Sequence, residues 1–515
     1  MKFQRTSGLL LHITSLPGKS GSGTLGREAY EFADFLKKAG QSYWQILPSG
    51  PVCGHLDYSP YSSPSTFAGN ILFIDLQLAV DKGWLPATAL AEPENGITGD
   101  FVDFDAISGE KSRLLREAAT RFFANAEPAD QEDFVAFCRS EAYWLDDYAL
   151  FSALSEHYHS HDWLTWEPAL RYRNPEALQM WRMKLSENFD GQRFAQYLFF
   201  RQWRALKSYC NGLGIRLIGD IPFYVTFESA DAWANPEIFQ LHPQTSRPTQ
   251  VAGVPPDYFS KTGQRWGNPL YAWLDKSGHL SGPVFGWWMR RIRHLLLQTD
   301  LLRIDHFRGF EAYWAIPEQA ETAEKGKWVK GPGREFFARL AEKLGDLPLI
   351  AEDLGVITPE VEDLRRSWNL PGMKILQFAF DGDPGNGYLP HNYTDPNCLV
   401  YTGTHDNNTT NGWFYSSETT AADKEYILQY LGISHHHEFH WQLIRLALSS
   451  TAGLAILPLQ DILGYAGEFR MNIPGRTAGN WRWRLAADRL TPELADRLLY
   501  LCRLYNRLTP PGGTA

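Results

Sequence analysis

Eight short runs of apolar residues recur along the 515-residue chain, and they constrain its fold more than any other feature. They occupy 8–13, 42–47, 215–221, 301–307, 347–354, 373–378, 398–404 and 453–459. Continuous apolar runs of this length are typical of strands that are buried on both faces, as in a parallel sheet. Amphipathic helical patterns separate most of the runs, although 379–397 contains only turn residues. We therefore predict an α/β fold, a (β/α)8 TIM-type barrel with large insertions between strands.

Two intervals are too long to be simple connections. Residues 76–192 contain amphipathic segments, which predict a mainly helical insertion between the second and third strands. Residues 222–283 are rich in Pro, Gly and aromatics and should lie above the barrel mouth, with a lid loop at 253–269. The barrel itself would then be formed by 1–75 and 193–515.

Composition excludes several classes of function. The net charge of −10 gives no long-range attraction to phosphate, so we expect no nucleic-acid partner. Five scattered cysteines with no CxxC pair predict neither a disulfide framework nor a zinc site, and they fit a reducing compartment. No run approaches the roughly 18 apolar residues of a membrane span. We expect a cytoplasmic protein, or one of a plastid-like stroma if a transit peptide has been removed.

Polar residues stand at the ends of four of the predicted strands. They are Asp220, Arg303 with Asp305, Glu352 with Asp353, and His405 with Asp406. Active sites of these barrels lie at the carboxyl ends of the strands. An aspartate in such a position can also cap a helix, and an Arg-Asp pair can be structural, but four polar strand ends at one rim favour a catalytic site.

Two of these carboxyls predict a specific chemistry. Arg303 and Asp305 face the same side of their strand, and a neighbouring positive charge favours an ionised Asp305. Glu352 follows an apolar run, and burial beside Asp305 and Asp406 should raise its pKa and keep it protonated. Retaining glycosidases use such a pair, about 5–5.5 Å apart. Asp305 would attack the anomeric carbon while Glu352 protonates the departing oxygen, and Asp406 and His405 could bind the sugar hydroxyls.

Nine stretches between residue 8 and about residue 475 form a recognisable set. They are "GLLLHITSLPG", "YWQILPSGP", "SPYSSPSTFAGN", "IGDIPFYV", "GVPPDYFSKTGQRWGNPLY", "LLRIDHFRG", "IAEDLG", "TGTHDNNT" and "RMNIPG". With them the chain resembles the amylomaltase, or 4-α-glucanotransferase (disproportionating enzyme), family, which is related to the α-amylase superfamily. The fifth stretch is particularly specific to that family.

The resemblance implies the roles of individual residues. Asp305 is expected to be the nucleophile, Glu352 the general acid/base and Asp406 the transition-state stabiliser. The lid loop 253–269 is expected to bind glucan. Malto-oligosaccharides and other α-1,4-glucans are the implied substrates. Two carboxyls suffice for the chemistry described above, so we expect no metal and no cofactor. The implied substrate-binding residues are Ser59, Tyr61, Asp220, Asp257, Tyr258, Trp266, Arg303, His405 and Asn472.

Three alternatives to a 4-α-glucanotransferase stay open at this point. A retaining α-glucan hydrolase would use the same carboxylates with water as the acceptor. A nucleotide-dependent oxidoreductase would use "GSGTLG" at 21–26, which fits GxGxxG but lies seven residues beyond its strand, where the dinucleotide fold needs a tight turn. A glucan-binding protein without activity would be expected to lack a catalytic carboxylate, and none is missing.

Overall fold

The structure, a computed structural model, describes residues 3–90, 99–256 and 260–509. Two sheets organise this part of the chain. Their strands are β1 (Thr6–Leu10), β2 (Tyr43–Gln45), β3 (Arg216–Ile221), β4 (Gln250–Val254), β5 (Gln264–Pro269), β6 (Leu301–Ile304), β7 (Ala312–Pro317), β8 (Lys327–Lys330), β9 (Leu349–Ala351), β10 (Gly372–Ile375), β11 (Cys398–Tyr401) and β12 (Leu454–Pro458).

Eight of these strands form one parallel sheet that closes into a barrel. Their order in the sheet is β10-β11-β12-β1-β2-β3-β6-β9. Successive strands of the barrel thus follow one another along the chain, and the first strand, β1, pairs with the last, β12. The two ends of the sheet meet where the Ala351 N–H donates to the Pro371 carbonyl at 2.9 Å. Each of the eight strands overlaps one of the predicted apolar runs, although β1 begins two residues and β10 one residue before its run. The (β/α)8 barrel is confirmed.

Helices surround the barrel and fill the connections between its strands. None of them, within the described residues, has the length and apolar character that a membrane span requires. They are α1 (Arg27–Lys38), α2 (Gln77–Asp81), α3 (Phe104–Asn125), α4 (Pro128–Ser140), α5 (Ala142–Tyr158), α6 (Pro168–Arg171), α7 (Pro175–Lys184), α8 (Ser186–Gly212), α9 (Ala230–Ala234), α10 (Gly282–Gln298), α11 (Gly333–Leu344), α12 (Pro359–Ser367), α13 (Thr410–Tyr415), α14 (Ala421–Leu431), α15 (Phe439–Ser449), α16 (Leu459–Ile462) and α17 (Pro492–Leu504).

The link between β10 and β11 has no α-helix, as its turn residues predict. It contains only two short 3-10 turns, Leu376–Phe378 and Pro390–Asn392. Proline, glycine and asparagine in this stretch favour turns over a continuous helix. One of the seven connections between successive barrel strands is therefore an irregular loop.

The long helix α8 belongs both to the inserted region and to the barrel. Helices α2 to α7 lie within 76–192, so this region is mainly helical. α8 begins at Ser186 and continues to Gly212, directly before β3, and it packs against α3 and α5. It therefore runs through the predicted boundary between residues 192 and 193, and the division of the chain into three segments stays a prediction.

A second, four-stranded antiparallel sheet was not predicted from the sequence. Its order is β5-β4-β7-β8, so two strands come from 222–283 and two from the segment after β6. Trp314 on β7 lies directly opposite Trp328 on β8, and Gly253 on β4 lies on the other side of Trp314. Short strands paired with distant partners leave little local signal, because the pairing depends on contacts outside the segment.

Candidate active site

Strand register brings two of the predicted residues together at the rim of the barrel. β3 pairs with β6 so that Asp220 lies opposite Arg303. The Arg303 guanidinium donates from Nη1 to both Asp220 oxygens, at 2.9 and 2.8 Å. Its Nη2 lies 3.0 Å from Asp305 Oδ1. Because Arg303 is only 3% exposed, it is a buried cation fixed between two carboxylates.

Tyr61 reaches this pair from the loop after β2. Its hydroxyl donates to Asp220 Oδ2 at 2.8 Å, and its ring stacks on His405 with centroids 5.0 Å apart. The Tyr61 N–H donates to Ser59 Oγ at 3.3 Å, so Ser59 orders the turn that carries Tyr61. The structure thus connects the predicted residues of this loop to both sides of the rim.

Asp406, at the end of β11, is held by two side chains. Asn472 Nδ2 donates to Asp406 Oδ1 at 2.6 Å, and His405 Nε2 lies 3.3 Å from Asp406 Oδ2. Burial by itself raises the pKa of Asp406, but His405 and the hydrogen bond from Asn472 outweigh it and hold that pKa well below its usual range. Asp406 is therefore a persistently charged carboxylate.

Backbone N–H groups bind the side chain of Glu352 at the end of β9. Its carboxylate accepts hydrogen bonds from the N–H of His306 at 2.7 Å and of Leu354 at 3.0 Å. Burial, reinforced by the like charge of Asp305, nevertheless raises the pKa of Glu352 to about 8. A protonated Glu352 at neutral pH agrees with the sequence prediction.

The environment of Asp305 differs from the expected one. Burial raises the pKa of Asp305 to about 6, although Arg303 acts in the opposite direction. The prediction that the arginine would dominate is wrong, because burial outweighs it and Asp220 and Asp406 add negative charge. The predicted order is retained, since the pKa of Asp305 stays below that of Glu352. At neutral pH one carboxyl is ionised and its neighbour is protonated.

Comparison with known proteins identifies the family of this chain. The sequence matches glycoside hydrolase family 77, described as 4-alpha-glucanotransferase, over residues 11–490. The chain belongs to this family. It is a glycosyl-transferring enzyme of the amylomaltase type, as the motifs predicted.

Individual relatives cover nearly the whole chain. The 4-alpha-glucanotransferase of Synechocystis sp. is 48% identical over 505 residues, 98% of either chain. That of Thermus thermophilus is 48% identical over 516 residues, 99% of this chain and 100% of the relative. The amylomaltase of Streptococcus agalactiae, solved in complex with acarbose, has a TM-score of 0.93 at 39% identity and covers 98% of this chain and 100% of its own.

The remaining predicted residues of this amylomaltase-type site are partly described. Trp266 on β5 is 40% exposed, and its ring meets that of His306 edge-on at 5.0 Å. It therefore lies beside the turn that binds Glu352. Asp257 and Tyr258 lie outside the described residues. Asp353 does not join the site, since it accepts from the Met373 N–H at 2.7 Å and helps to close the barrel.

Arg470 is a residue that the sequence reasoning missed. It donates from Nη2 to the Asp406 carbonyl at 2.7 Å and from Nε to the Asn472 carbonyl at 2.8 Å. It thereby fixes the backbone on both sides of the hydrogen bond between Asp406 and Asn472. Arg470 opens the matched stretch "RMNIPG", which was the available signal, but the motif alone does not show which carbonyls it binds.

The nucleotide-binding alternative is not supported by the structure. The segment "GSGTLG" at 21–26 is buried in the loop between β1 and α1. A Cβ on Gly23 would lie 2.0 Å from the Ile13 carbonyl oxygen, so this glycine serves close backbone packing. Among the described residues no group of three or more His, Cys, Asp or Glu could hold a metal ion. Independence from cofactors stays a prediction.

Proposed function

We propose that this enzyme transfers an α-1,4-glucan segment by double displacement, with Asp305 as nucleophile and Glu352 as general acid/base. The observation that carries the proposal is the placement of two carboxyls at the ends of the neighbouring strands β6 and β9, Asp305 against the Arg303 guanidinium and Glu352 on the His306 N–H. Burial raises the pKa of Glu352 above that of Asp305. An ionised carboxylate can attack, and a protonated carboxyl can give a proton to a leaving oxygen.

The two half-reactions use the same pair. Asp305 attacks the anomeric carbon, and the bond to the 4-oxygen of the departing glucan breaks as Glu352 protonates that oxygen. Glu352, now ionised, then removes the proton from the 4-OH of a second glucan. That oxygen attacks the anomeric carbon, the bond to Asp305 breaks, and both carboxyls return to their starting states.

The transferred glucose unit is held by a donor-side cluster, which we define as Tyr61, Asp220, Arg303, His405, Asp406 and Asn472. In this proposal the charged Asp406 stabilises the positive charge that develops on the sugar in the transition state. The cluster is interconnected by hydrogen bonds and by the stacking of Tyr61 on His405, so it is organised before a substrate arrives. Ser59 completes the proposed donor contacts, Trp266 of the lid loop is proposed to contact the glucan, and Asp257 and Tyr258 stay predictions. The proposed substrates are malto-oligosaccharides and other α-1,4-glucans.

Transfer requires that a bound acceptor outcompete water. Water is present at about 55 M, whereas a well-oriented bound group can reach an effective molarity on the order of 10⁵ M. With maltotriose as the sole substrate, we expect glucose plus a ladder of longer oligomers, with little net rise in reducing ends. Chromatography of the products together with a reducing-end assay checks this. Products limited to maltose and glucose, with reducing ends rising as substrate disappears, would support the hydrolase alternative.

The pH dependence should reflect both carboxyls. Below about pH 6 Asp305 becomes protonated and loses its nucleophilicity, and above about pH 8 Glu352 loses the proton that it must donate. We therefore expect a bell-shaped profile of kcat/KM with limbs near these values. In Glu352→Gln, assayed with a glycosyl fluoride donor that needs no acid, the alkaline limb should disappear while the acid limb stays. Persistence of the alkaline limb in that variant would assign it to another group.

Two carboxyls suffice for this chemistry, so we expect no dependence on a metal or a nucleotide. Activity should be unchanged after exhaustive chelation followed by gel filtration. The same preparation assayed with added Ca²⁺, Zn²⁺ or NAD provides the control. A loss of activity that one of these restores would contradict the proposal.

We also propose a reducing compartment, the cytoplasm or a plastid stroma. Four of the five cysteines are buried as free thiols, which is the usual state in such a compartment. The Solanum tuberosum relative, 41% identical, is described as chloroplastic/amyloplastic. Fractionation of the source cells tests this proposal. Recovery of the activity in another compartment would contradict it.

A further inference from the structure

Trp328 is an exposed aromatic residue that the proposed mechanism does not yet use. Among the described residues, it and Trp266 are the two tryptophans that keep 40% of their surface exposed. Trp266 was predicted to bind substrate, whereas no motif pointed to Trp328. A tryptophan side chain presents a large, rigid apolar face on which another ring can pack.

Two neighbouring side chains contact the Trp328 ring. The guanidinium carbon of Arg308 lies 3.8 Å from the ring centroid, a cation–π contact that covers one face. Trp314, directly opposite on β7, meets the ring edge at a centroid distance of 5.2 Å and an angle of 68°. These contacts hold the indole in one orientation while leaving it substantially exposed.

Arg308 connects this indole to the general acid/base. The Arg308 side chain is only 7% exposed and donates from Nη1 to the carbonyl of Val356, in the loop that follows Glu352. Two residues before Arg308, the His306 N–H binds the Glu352 carboxylate at 2.7 Å. Trp328 is therefore tied to the Glu352 loop through a short series of buried contacts.

The chemistry of Glu352 indicates on which side of the cleft the acceptor binds. The donor-side cluster surrounds Asp305 and holds the glucose unit that is transferred. Glu352 protonates the departing glucan and later activates the incoming one, so groups beyond Glu352 face the acceptor. We propose that Trp328 is an acceptor-binding platform on whose exposed face a glucose unit of the acceptor chain stacks, at least one unit beyond the unit next to Glu352. This inference rests on the proposed function.

Such a platform makes acceptor binding depend on chain length. A single glucose occupies the position next to Glu352 and does not reach Trp328. Maltotriose places further rings on the indole, where the C–H face of a pyranose packs on the aromatic face. Trp328 should therefore lower KM for longer acceptors and leave glucose unaffected.

The test uses the full chain with α-maltotriosyl fluoride as donor and either glucose or maltotriose as acceptor. In Trp328→Ala we expect KM for maltotriose as acceptor to rise about tenfold, which corresponds to about 1.4 kcal/mol. KM for glucose as acceptor, and hydrolysis of the fluoride without acceptor, should change by less than about twofold. Trp328→Phe keeps an aromatic ring, so its KM for maltotriose should stay close to that of the wild type. Trp328→Leu should show the same rise in KM as Trp328→Ala.

Controls separate this inference from the proposed function and from misfolding. Tyr500→Ala removes a 61% exposed aromatic ring on α17 and should leave both acceptor KM values unchanged. If the melting temperature shows that Trp328→Ala does not fold, the KM values of Trp328→Leu and Trp328→Phe for maltotriose are compared instead. A higher KM in Trp328→Leu than in Trp328→Phe supports the platform, and equal values overturn it. Equal effects on glucose and maltotriose, or none on maltotriose, overturn the platform. Absence of transfer to either acceptor by the wild-type enzyme overturns the proposed function instead.

Discussion

Asp305→Asn should yield a folded protein whose transfer activity is lower by several orders of magnitude, because an amide lacks the charge with which the carboxylate is proposed to attack the anomeric carbon. Glu352→Gln should lower transfer by about 10²–10⁴-fold, the usual contribution of a general acid/base. Initial rates with maltotriose check both values. Asp346→Asn, the same change at an exposed position shortly before β9, is the matched control and should retain full activity.

The Glu352→Gln variant also allows the nucleophile to be identified. A glycosyl fluoride has a leaving group that needs little acid, so the first half-reaction should proceed while the second, which needs a base, is slow. The glycosyl-enzyme should therefore accumulate, and mass spectrometry of peptides should find the adduct on Asp305. An adduct on another residue would overturn the assignment of the nucleophile.

Arg303→Met should cost both stability and activity. Removal of one partner from a buried ion pair leaves uncompensated charge, which typically costs about 3–5 kcal/mol in the free energy of unfolding. Without the guanidinium, the pKa of Asp305 should rise further, so the acid limb of the pH–rate profile should move upward. Urea unfolding with an unchanged m-value measures the loss of stability. The pH profile of kcat/KM measures the shift of the acid limb.

Arg334→Met serves as the control for this prediction. Arg334 pairs with Asp363 at the surface, where both side chains are more than 60% exposed. A surface pair of this kind contributes about 0–1 kcal/mol, so the variant should unfold and react almost as the wild type does. Equal stability and an unshifted acid limb in Arg303→Met would show that Arg303 is not the counter-ion of the two carboxylates.

The barrel could be predicted because its signal is local. Each strand is an apolar run that needs burial on both faces, and the polar residue that ends it is read directly from the sequence. The sequence alone therefore predicts that Asp220, Arg303, Asp305 and Glu352 lie at one rim. The missing helix between β10 and β11 was equally visible, since its turn residues are contiguous.

What the sequence could not supply are quantities that depend on distant partners. The pKa of Asp305 reflects how many carboxylates share Arg303, and Asp220 and Asp406 come from other strands. The sheet that contains Trp314 and Trp328 pairs segments separated by the whole of α10 and β6. The role of Arg470 depends on two backbone carbonyls, which carry no residue-type signal at all.

The pairing of β1 with β12 has a consequence for how the chain is synthesised. Thr6 is synthesised about 450 residues before Leu454, which lies opposite it on β12, and before Gly453, whose carbonyl accepts from the Thr6 N–H at 2.9 Å. At about 5–20 residues per second this delay lasts roughly 20–90 s. Throughout it the unclosed sheet exposes the backbone groups of β1, a template for pairing with other chains. Nascent molecules of this enzyme are therefore most prone to aggregate until the last strand emerges, and a truncation before β12 would make that vulnerable state permanent.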